Sequence, residues 1–479
     1  MKHLIRKAVL ALLFSGSICA EAQEVPFDVW SCAGMVEYRE AHEMVSLVMP
    51  TDDDMGRCLA IGGSDGDQAL ATVEMGTIGF DSFGPDTWEP VSSMAVARQD
   101  FQAFAFDDVH VVVSGGYDGS LTHAGTEFYD AVSDVWSAGP DMVSPRTHHR
   151  AAWIDDTRLL ITGGFNGVAE TASCEVLDVA TMQTTEVAPM LLARASHTLT
   201  PLGEGKFLAA GGFNAAAGFQ LAECEVYDAA TDVWTTVAPL PVARDNHAAW
   251  ALPSSGGEQG VILSGGRVFD ADANLFVGLA EGALFDPSSA SWTPFDMTAP
   301  HSYHSMARIG EDPNWFVLGG VDASGSGVSS TYGNAEWGTA GTSLAWLPGA
   351  IGTGQNPDLL EDRSKAAMAP CWAGWVVTGG DATGIGSCAV VVGNTSGVMG
   401  PAAQTALSAY PNPAAGRVAL SCDGMALQQQ WWLVDGQGRV VLRGQGPALD
   451  VTPLTPGGYV LKLASGAALR LVVGSSSAH

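Results

Sequence analysis

The sequence predicts an all-β protein that consists mainly of a closed array of similar sheets. Gly-Gly pairs follow short apolar runs about every 50 residues, a spacing typical of propellers and related arrays. Each unit has the order Trp, Met or Leu, Arg, apolar run, Gly-Gly, and then a strand of the type Glu-x-x-Asp. No unit keeps the i, i+3, i+4 spacing of an amphipathic helix. The Gly-Gly pairs begin at residues 62, 115, 163, 211, 265, 319 and 379.

The first residues have the features of a secretory signal peptide. Lys2, Arg6 and Lys7 precede an apolar run that ends in small residues. Ala20-Glu21-Ala22 fits a cleavage site after residue 22. Cleavage after Ala20 is an alternative, and lipoprotein processing at Cys19 fits less well. No later stretch has the roughly 18 uninterrupted apolar residues of a membrane span. We therefore exclude residues 1–22 from the fold and expect no transmembrane segment.

The remaining chain is strongly acidic. Without Lys2, Arg6, Lys7 and Glu21 it has 18 Lys and Arg against 51 Asp and Glu, a net charge of about −33. This charge excludes nucleic acid as a partner, because phosphates require a basic surface. Seven cysteines remain after the leader. Since this number is odd and export leads to an oxidising compartment, at least one should be free or paired outside the chain.

Seven Gly-Gly pairs predict seven blades between residues 23 and 400. The segment "VPFDVWSCAGM" has its Trp before the first Gly-Gly, so we expect it to close the array as the outer strand of the last blade. Residues 388–400 compete for that place. Six blades are the alternative, because the first unit has the insertion "PTDDDMGR" and the seventh has no clear Arg-x-x-His.

These units resemble the kelch family of β-propellers, with the specific match in residues 88–320. In kelch blades Gly-Gly ends the second strand, an aromatic residue lies in the third, and a Trp lies in the fourth. Gly-Gly permits close approach of neighbouring backbones, and Trp fills the space between blades. The positions are Gly115, Gly116, Gly163, Gly164, Gly211, Gly212, Gly265, Gly266, Gly319 and Gly320 for the glycines, Tyr129, Leu177, Tyr227 and Phe285 for the third strand, and Trp88, Trp136, Trp234 and Trp292 for the fourth.

The C-terminal residues 407–479 predict a small antiparallel β-sandwich after a linker at 401–406. They alternate apolar and polar residues and have an Asp435-Gly436 turn. The segment resembles the type A C-terminal sorting domain of the type IX secretion system, although it lacks the family's usual basic ending. The resemblance rests on three motifs in order: Tyr410-Pro411-Asn412-Pro413, Asp435-x-x-Gly438-Arg439, and Leu454-x-x-Gly457 with Tyr459.

The resemblance of the tail implies the address of the protein. It implies a Gram-negative bacterium of the Bacteroidota type, passage through the periplasm, and a secreted or outer-surface location. The type IX secretion machinery would then be a partner of the tail. An accessory sandwich that binds carbohydrate or stabilises the propeller is the alternative.

Five of the thirteen Lys and Arg in residues 23–400 hold the same place in successive units. In kelch relatives this place lies in a loop that can face the central cavity. Guanidinium groups arranged in a ring around that cavity would suit carboxylates, sulfates or sugars as ligands. The alternative is that each Arg pairs with a repeated Asp or Glu and fixes the corner of the blade. The five residues are Arg39, Arg98, Arg146, Arg194 and Arg244.

The residue after each Gly-Gly comes from another loop on that face. Tyr117, Phe165, Phe213 and Arg267 are therefore further ligand-binding candidates. A His follows three residues after most of the Arg residues, and its repetition favours a hydrogen bond between blades. These residues are His42, His149, His197, His247 and His304.

We predict no metal site at these His residues, because one His per blade spreads the ligands around a ring. "TDDDMG" at 51–56 and "SDGDQ" at 64–68 are acidic enough for Ca²⁺, but Asp-Gly is primarily a turn sequence. No cofactor is predicted. Sequence motifs of serine hydrolases, zinc peptidases and P-loop proteins do not occur.

Two classes of function follow. The first is a secreted or surface-attached binding protein that recognises a glycan, a peptide or protein, or another anionic ligand at the propeller mouth. The second is a propeller enzyme acting on sugars, since kelch propellers include sialic acid mutarotases and copper oxidases of the galactose oxidase type. An oxidase is less favoured, because its Tyr, His and Cys set cannot be assembled from the motifs.

Overall fold

The structure, a computed structural model, describes strands and loops of the repeats in detail and the strands of the tail by their backbone. The residues described are 27–31, 33–47, 56–78, 85–252, 260–272, 274–297, 299–309, 314–318, 320–323, 329–331, 335–339, 347–348, 365–370, 374–378, 388–393, 407–410, 417–422, 425–426, 430–434, 440–445, 448–450, 457–463 and 468–473. The predicted signal peptide lies outside them.

Seven four-stranded antiparallel sheets form the blades of a β-propeller. The first strand of the chain, Phe27–Ser31, pairs with Cys388–Gly393 and is the outer strand of the seventh sheet. The expected closure by the N-terminal Trp strand is therefore confirmed. Residues 388–393 form the third strand of that blade.

Blades 1 to 3 come from consecutive segments of the chain. Their strands, from inner to outer, are Glu43–Leu47, Arg57–Ile61, Val73–Ile78 and Pro85–Val91 in blade 1, Gln102–Ala105, His110–Ser114, Thr126–Asp130 and Val135–Ala138 in blade 2, and Arg150–Trp153, Arg158–Thr162, Cys174–Asp178 and Gln183–Val187 in blade 3.

Blades 4 to 7 keep this order. Their strands are Thr198–Gly203, Lys206–Ala210, Cys224–Asp228 and Val233–Val237 in blade 4, Ala248–Ala251, Val261–Ser264, Glu281–Asp286 and Ser291–Asp296 in blade 5, Ser305–Ile309, Asn314–Leu318, Ala335–Thr339 and Leu347–Pro348 in blade 6, and Ala367–Pro370, Gly374–Thr378, Cys388–Gly393 and Phe27–Ser31 in blade 7.

In the described part of the chain, three blades have an extra hairpin between their second and third strands. The hairpin of blade 4 includes a short 3-10 helix at Ala215–Ala217, and Asn214 caps its N-terminus by accepting from the N–H groups of Ala216 and Ala217. The hairpin strands are Phe213–Asn214 with Phe219–Gln220 in blade 4, Arg267–Asp270 with Leu275–Gly278 in blade 5, and Val321–Ala323 with Ser329–Thr331 in blade 6.

The core lies between neighbouring blades, because both faces of each sheet are covered. Second-strand residues such as Leu159, Leu160 and Ile161 are fully buried, as expected for runs without alternation. The predicted third- and fourth-strand aromatics face each other across the ladder, with Tyr129 opposite Trp136 and ring centroids 4.9 Å apart. Trp136 also donates from Nε1 to the carbonyl of Ser92, which directly follows the outer strand of blade 1.

The Gly-Gly pairs are points of contact between blades. The N–H of Gly164 donates to the carbonyl of Arg194 in the next blade at 2.8 Å. Gly163 has φ +59, and a Cβ there would lie 2.4 Å from the same carbonyl oxygen. A side chain is therefore excluded by contact as well as by backbone conformation. This confirms the predicted role of the pair.

The C-terminal strands form two further antiparallel sheets, as expected for a small sandwich. Among the residues on which the predicted sorting-domain resemblance rests, Tyr410, Gly457 and Tyr459 lie in strands, whereas Pro411, Asn412, Pro413, Asp435 and Gly438 lie outside the described residues. None of the described residues forms a helix long and apolar enough to span a bilayer. The strands are Leu407–Tyr410, Arg417–Cys422, Met425–Ala426 and Ala448–Asp450 in one sheet, and Gln430–Val434, Val440–Gln445, Gly457–Leu463 and Ala468–Val473 in the other.

Candidate functional site

The repeated Arg residues form buried ion pairs with repeated Glu residues. Arg194 is fully buried, and its Nη2 lies 2.6 Å from Oε1 of Glu225 on the third strand of its own blade. Its Nη1 donates to the carbonyls of Gly211 and Glu223. Glu225 also accepts from the N–H groups of Leu191 and Leu192. The equivalent pairs are Arg39–Glu74 at 2.8 Å, Arg98–Glu127 at 2.7 Å, Arg146–Glu175 at 2.5 Å and Arg244–Glu281 at 3.3 Å.

The prediction that these five guanidinium groups face the cavity is wrong. Each Arg side chain is at most 1% exposed. The alternative, in which each Arg pairs with a repeated carboxylate and fixes the corner of the blade, describes the structure. The physical reason is that three chain segments meet at this corner, and one guanidinium with one carboxylate satisfies their backbone groups.

The repeated His residues link neighbouring blades, as the sequence favours. Nε2 of His197 lies 2.9 Å from the hydroxyl of Thr162 in the preceding blade, and Nε2 of His149 lies 3.1 Å from that of Ser114. His42 and His304 form the same contact with Thr378 and Ser264. Burial lowers the pKa of four of these imidazoles, His149, His197, His247 and His304, well below the ordinary value. Neighbouring Arg side chains lower the pKa of the first three further. They are therefore neutral framework groups.

A closed chain of backbone hydrogen bonds surrounds the channel on the Gly-Gly face. In each blade, the residue two positions before the inner strand donates its N–H to the carbonyl of the equivalent residue in the preceding blade, and blade 1 donates to blade 7. The N···O distances range from 2.9 to 3.3 Å. We call this set the mouth ring. It consists of Ala41, Asp100, His148, Ser196, Asn246, Tyr303 and Lys365. Seven links confirm seven blades.

The mouth ring is a strained part of the backbone. Its seven residues have φ between 50 and 55°, a left-handed conformation that costs about 1–2 kcal/mol for a residue with a Cβ. Glycine would adopt it without this cost, yet none of the seven is glycine. Strain of this kind concentrates at functional sites. The side chains of the mouth ring are therefore candidate ligand-binding groups.

Side chains of the ring interact across blades. Nε2 of His148 lies 3.6 Å from Oδ2 of Asp100, and Nζ of Lys365 lies 3.6 Å from Oε1 of Glu40. The side chains of His148 and Lys365 are 39% and 38% exposed. Nζ of Lys365 also lies 5.7 Å from the ring centroid of Tyr303. A ligand at the mouth would thus meet both signs of charge and an aromatic face.

Arg267 is the predicted site residue that extends to the mouth ring. Its guanidinium donates two hydrogen bonds to the buried carboxylate of Asp245, from Nε to Oδ1 at 3.0 Å and from Nη2 to Oδ2 at 3.2 Å. Its Cζ lies 4.2 Å from the ring centroid of Phe276 and 5.0 Å from that of Tyr303. Burial raises the pKa of Tyr303, and the charge of Arg267 lowers it. The phenol is therefore a neutral hydrogen-bonding group.

An aromatic cluster lies on the extra hairpins of blades 4 and 5. Phe213 and Phe219 are 6.0 Å apart between ring centroids, Phe219 and Phe269 are 4.9 Å apart, and Phe269 and Phe276 are 5.4 Å apart. Gln220 holds the hairpins together, since its Oε1 accepts from the N–H of Phe269. Phe219 is 41% exposed. The predicted residue Phe213 is thus part of an exposed aromatic surface.

The other two predicted loop residues lie on shorter turns of blades 2 and 3. Tyr117 and Phe165 form backbone bridges with Gln99 and Thr147, the residues that follow the buried Arg. The hydroxyl of Tyr117 donates to the carbonyl of Gly119. Both side chains are half-buried. They lie on the same face as Phe213 and Arg267, and their role in binding stays a prediction.

A second layer of residues lies two positions after the mouth ring, where each inner strand begins. We call it the channel layer. Nε2 of Gln102 in blade 2 donates to Oε1 of Glu43 in the neighbouring blade 1 at 2.9 Å. Burial raises the pKa of Glu43 to about 8; Asp100 raises it too, whereas Arg150 and the hydrogen bond from Gln102 lower it. The layer consists of Glu43, Gln102, Arg150, Thr198, Ala248, Ser305 and Ala367.

The acidic sequence at 64–68, a candidate for Ca²⁺ binding, contains a turn that is held by Asp65. Oδ1 of Asp65 accepts from the N–H groups of Asp67 and Gln68, which is the geometry of an Asx turn. The segment 51–55 lies outside the described residues. Among the residues that are described, no group of three or more His, Cys, Asp or Glu is placed to hold a metal ion. Calcium binding stays a prediction.

The sequence did contain a signal for the residues that were missed. The mouth ring and the channel layer fall at fixed positions after the repeated Arg, but their residue types differ from blade to blade. A search for repeated residues passes over them. Positions at a fixed spacing from the repeated Arg, but with a different residue in each blade, therefore indicate the candidate site.

Known proteins resemble the chain in its repeats and fold. No family model matches it. It is 40% identical over 86 residues, 18% of its length, to kelch repeat-containing protein kel-10 of Caenorhabditis elegans, and the match spans 14% of that relative. It superposes on the structure of YjhT with a TM-score of 0.50 and 13% identity, covering 66% of this chain and 99% of YjhT. The fold is a kelch-type β-propeller. These likenesses concern repeats and architecture, so they do not assign a ligand.

Proposed function

We propose that the protein is a secreted or surface-attached binding protein that recognises a polar ligand at the mouth of the propeller. The mouth ring carries this proposal. Its backbone is the same in all seven blades, yet its side chains include a carboxylate, an imidazole, an amide, a phenol and an ammonium group. A purely structural position is expected to keep one residue type, as the buried Arg position does in blades 1 to 5.

The chemistry of the mouth supports a glycan or a small anionic ligand. Arg267, Tyr303 and Lys365 bring two cations and an aromatic face together. Asp100 and Asn246 add an acceptor and an amide on the same ring. A small number of polar groups beside an aromatic surface is the usual composition of a ligand site. The hairpins of blades 4 to 6 line one side of it.

Ligand screening on the mature chain tests the proposal. A panel of glycans, peptides and small acids would be measured for binding, and every ligand retained would be tested again with His148→Ala and Lys365→Ala. Both residues are partly exposed, so the variants should fold. We expect each to weaken binding at least several-fold. Arg158→Ala is the control, because Arg158 begins the second strand of blade 3, at the end away from Gly-Gly. Unchanged binding in both mouth variants would refute the site.

A sugar-acting enzyme is the second candidate, and Glu43 is the observation that favours it. A carboxyl with a pKa of about 8 is protonated at neutral pH and can act as a general acid. Mutarotation of acidic and neutral sugars, followed by NMR, would detect the activity. Glu43→Gln should abolish it. Equal rates with wild type and Glu43→Gln would exclude Glu43 as the acid.

The location of the protein is part of the proposal and rests on the sorting motifs of the tail. Export by the signal peptide followed by type IX secretion would deliver the propeller to the cell surface. Deleting residues 405–479 should leave a folded propeller in the periplasm, because the tail forms sheets of its own. Normal surface delivery of the truncated chain would contradict this.

A further inference from the structure

Arg150 differs from the cationic side chains whose ion pairs the structure describes. The repeated Arg residues each have a Glu, Arg158 has Asp155, Arg267 has Asp245, and Lys365 has Glu40. In the described part of the chain, no carboxylate forms an ion pair with Arg150; its hydrogen bond is from Nη1 to the carbonyl of His149. The guanidinium therefore keeps donors for a ligand.

Arg150 lies close to the channel axis. Its charge lowers the pKa of His149, His197 and His247, which belong to blades 3, 4 and 5. Its own pKa is lowered by burial and raised by Glu43 of blade 1 and Asp100 of blade 2. Arg150 also begins the inner strand of blade 3, as Glu43 and Gln102 begin those of blades 1 and 2, so its side chain starts beside the channel.

The channel layer is asymmetric around Arg150. Blades 1 to 3 contribute the long polar side chains Glu43, Gln102 and Arg150, and the other four blades contribute short ones. Two of the short side chains are already bonded, since the hydroxyl of Thr198 contacts Nε2 of His247 and that of Ser305 donates to the carbonyl of Ala366. The long polar side chains thus lie on one side of the channel layer and the short side chains on the other.

We propose that Arg150, Gln102 and Glu43 form an anion site that binds the carboxylate of a small organic acid or acidic sugar entering through the mouth ring. This inference rests on the proposed function and names its ligand class. The planar guanidinium matches a carboxylate in a two-point hydrogen bond. Glu43 adds a proton donor while its carboxyl is neutral. Because Asp100 supplies a negative charge nearby, the site suits a monoanion better than a phosphate dianion.

Calorimetry on the full mature chain tests the proposal with three probes. Galacturonate and galactose differ in the carboxylate, and lactate is a free acid without a sugar ring. Galacturonate should bind more tightly than galactose, and Arg150→Gln should weaken it about ten- to hundredfold, as expected for a lost charge-assisted pair. If lactate binds and Arg150→Gln weakens its binding to the same extent, a free organic acid is a sufficient ligand. If lactate does not bind, the ligand class is acidic sugars.

The pH dependence gives an independent readout. The charged groups that act on Glu43 are Arg150 and Asp100. Affinity should fall as the pH rises through about 8, because Glu43 then ionises and repels the ligand. Glu43→Gln keeps a neutral donor, so it should bind at neutral pH and lose this dependence. A dependence that persists in Glu43→Gln would overturn the role of Glu43.

Two further variants make the outcome decisive. Arg158→Gln removes an exposed cation from the same blade and should leave binding unchanged. Should Arg150→Gln fail to fold, Arg150→Lys retains the charge without the fork and should bind about tenfold more weakly. The proposal is overturned if no carboxylate binds, if galactose binds as tightly as galacturonate, or if the Arg150 variants bind normally. If the wild type then binds a neutral glycan and the His148 and Lys365 variants do not, the proposed function stands although the anion site does not.

Discussion

At the scale of single residues, the side chains that repeat from blade to blade stabilise the fold, whereas those that differ between blades form the proposed site. Arg146, Arg194 and their equivalents are buried beside Glu residues in every described case. Their repetition suggested a ring of positive potential, but repetition also fits a corner that is built the same way in each blade. The paired Glu was visible in the sequence as the start of the third strand. What the sequence could not show is which way the guanidinium points.

The first prediction concerns the buried pair of Arg194 and Glu225. Arg194→Ala should lower the free energy of unfolding by roughly 3 to 5 kcal/mol, because it leaves Glu225 buried without its partner. Arg158→Ala removes an exposed pair with Asp155 and should cost about 0 to 1 kcal/mol. Urea unfolding of both variants measures the difference. Equal effects would show that the buried pair contributes no more than a surface pair.

The second prediction concerns the neutral His residues between blades. The folded state lowers the pKa of His197 below its unfolded value, so its contribution to stability is present above about pH 6.5 and is lost as the pH falls. His197→Gln cannot ionise and can still bond to Thr162. It should reduce the slope of unfolding free energy between about pH 6 and pH 5 by roughly 1.4 kcal/mol per pH unit. Unfolding titrations at several pH values would reveal it; identical slopes would contradict the buried neutral state.

At the scale of elements, blade order and strand order could be read from the sequence with few errors. Gly-Gly at the end of the second strand, the third-strand aromatic and the fourth-strand Trp all lie where the pattern placed them. The extra hairpins of blades 4 to 6 could not be predicted, because length variation between Gly-Gly and the third strand carries no periodicity. The mouth ring was missed for a similar reason. Its hydrogen bonds join residues that are about 50 positions apart and have unlike side chains.

The third prediction concerns the element that joins neighbouring blades. Gly163→Ala places a Cβ against the backbone of Arg194, whereas a Cβ at Gly119 meets nothing within 4 Å. Both glycines have positive φ, +59° at Gly163 and +96° at Gly119, so backbone strain disfavours alanine at both positions and only Gly163 adds a clash. Gly163→Ala should therefore be less stable than Gly119→Ala by roughly 1 to 3 kcal/mol. Thermal unfolding of both proteins checks this, and similar midpoints would argue against tight contact at the pair.

At the scale of the whole molecule, the ends of the propeller chain meet in one blade. Residues 27 to 31 pair with residues 393 to 389 along five positions. Closure of the mouth ring, from Lys365 of blade 7 to Ala41 of blade 1, joins the last and first blades at the channel. The fold is therefore closed twice, at the outer edge and at the centre. Neither closure involves a covalent bond between the described residues.

The last prediction follows from this closure. Deleting residues 23–31 leaves blade 7 with three strands and exposes Cys388–Gly393 as an edge. Five lost ladder positions, at about 0.5 to 1.5 kcal/mol per hydrogen bond, should lower stability by several kcal/mol, measured as the urea midpoint. Deleting residues 23–26 is the control and should change little. A peptide of residues 23–35 added to the truncated protein should bind as a strand and restore part of the midpoint. If the truncated protein is as stable as the control and does not bind the peptide, the N-terminal strand does not close the propeller.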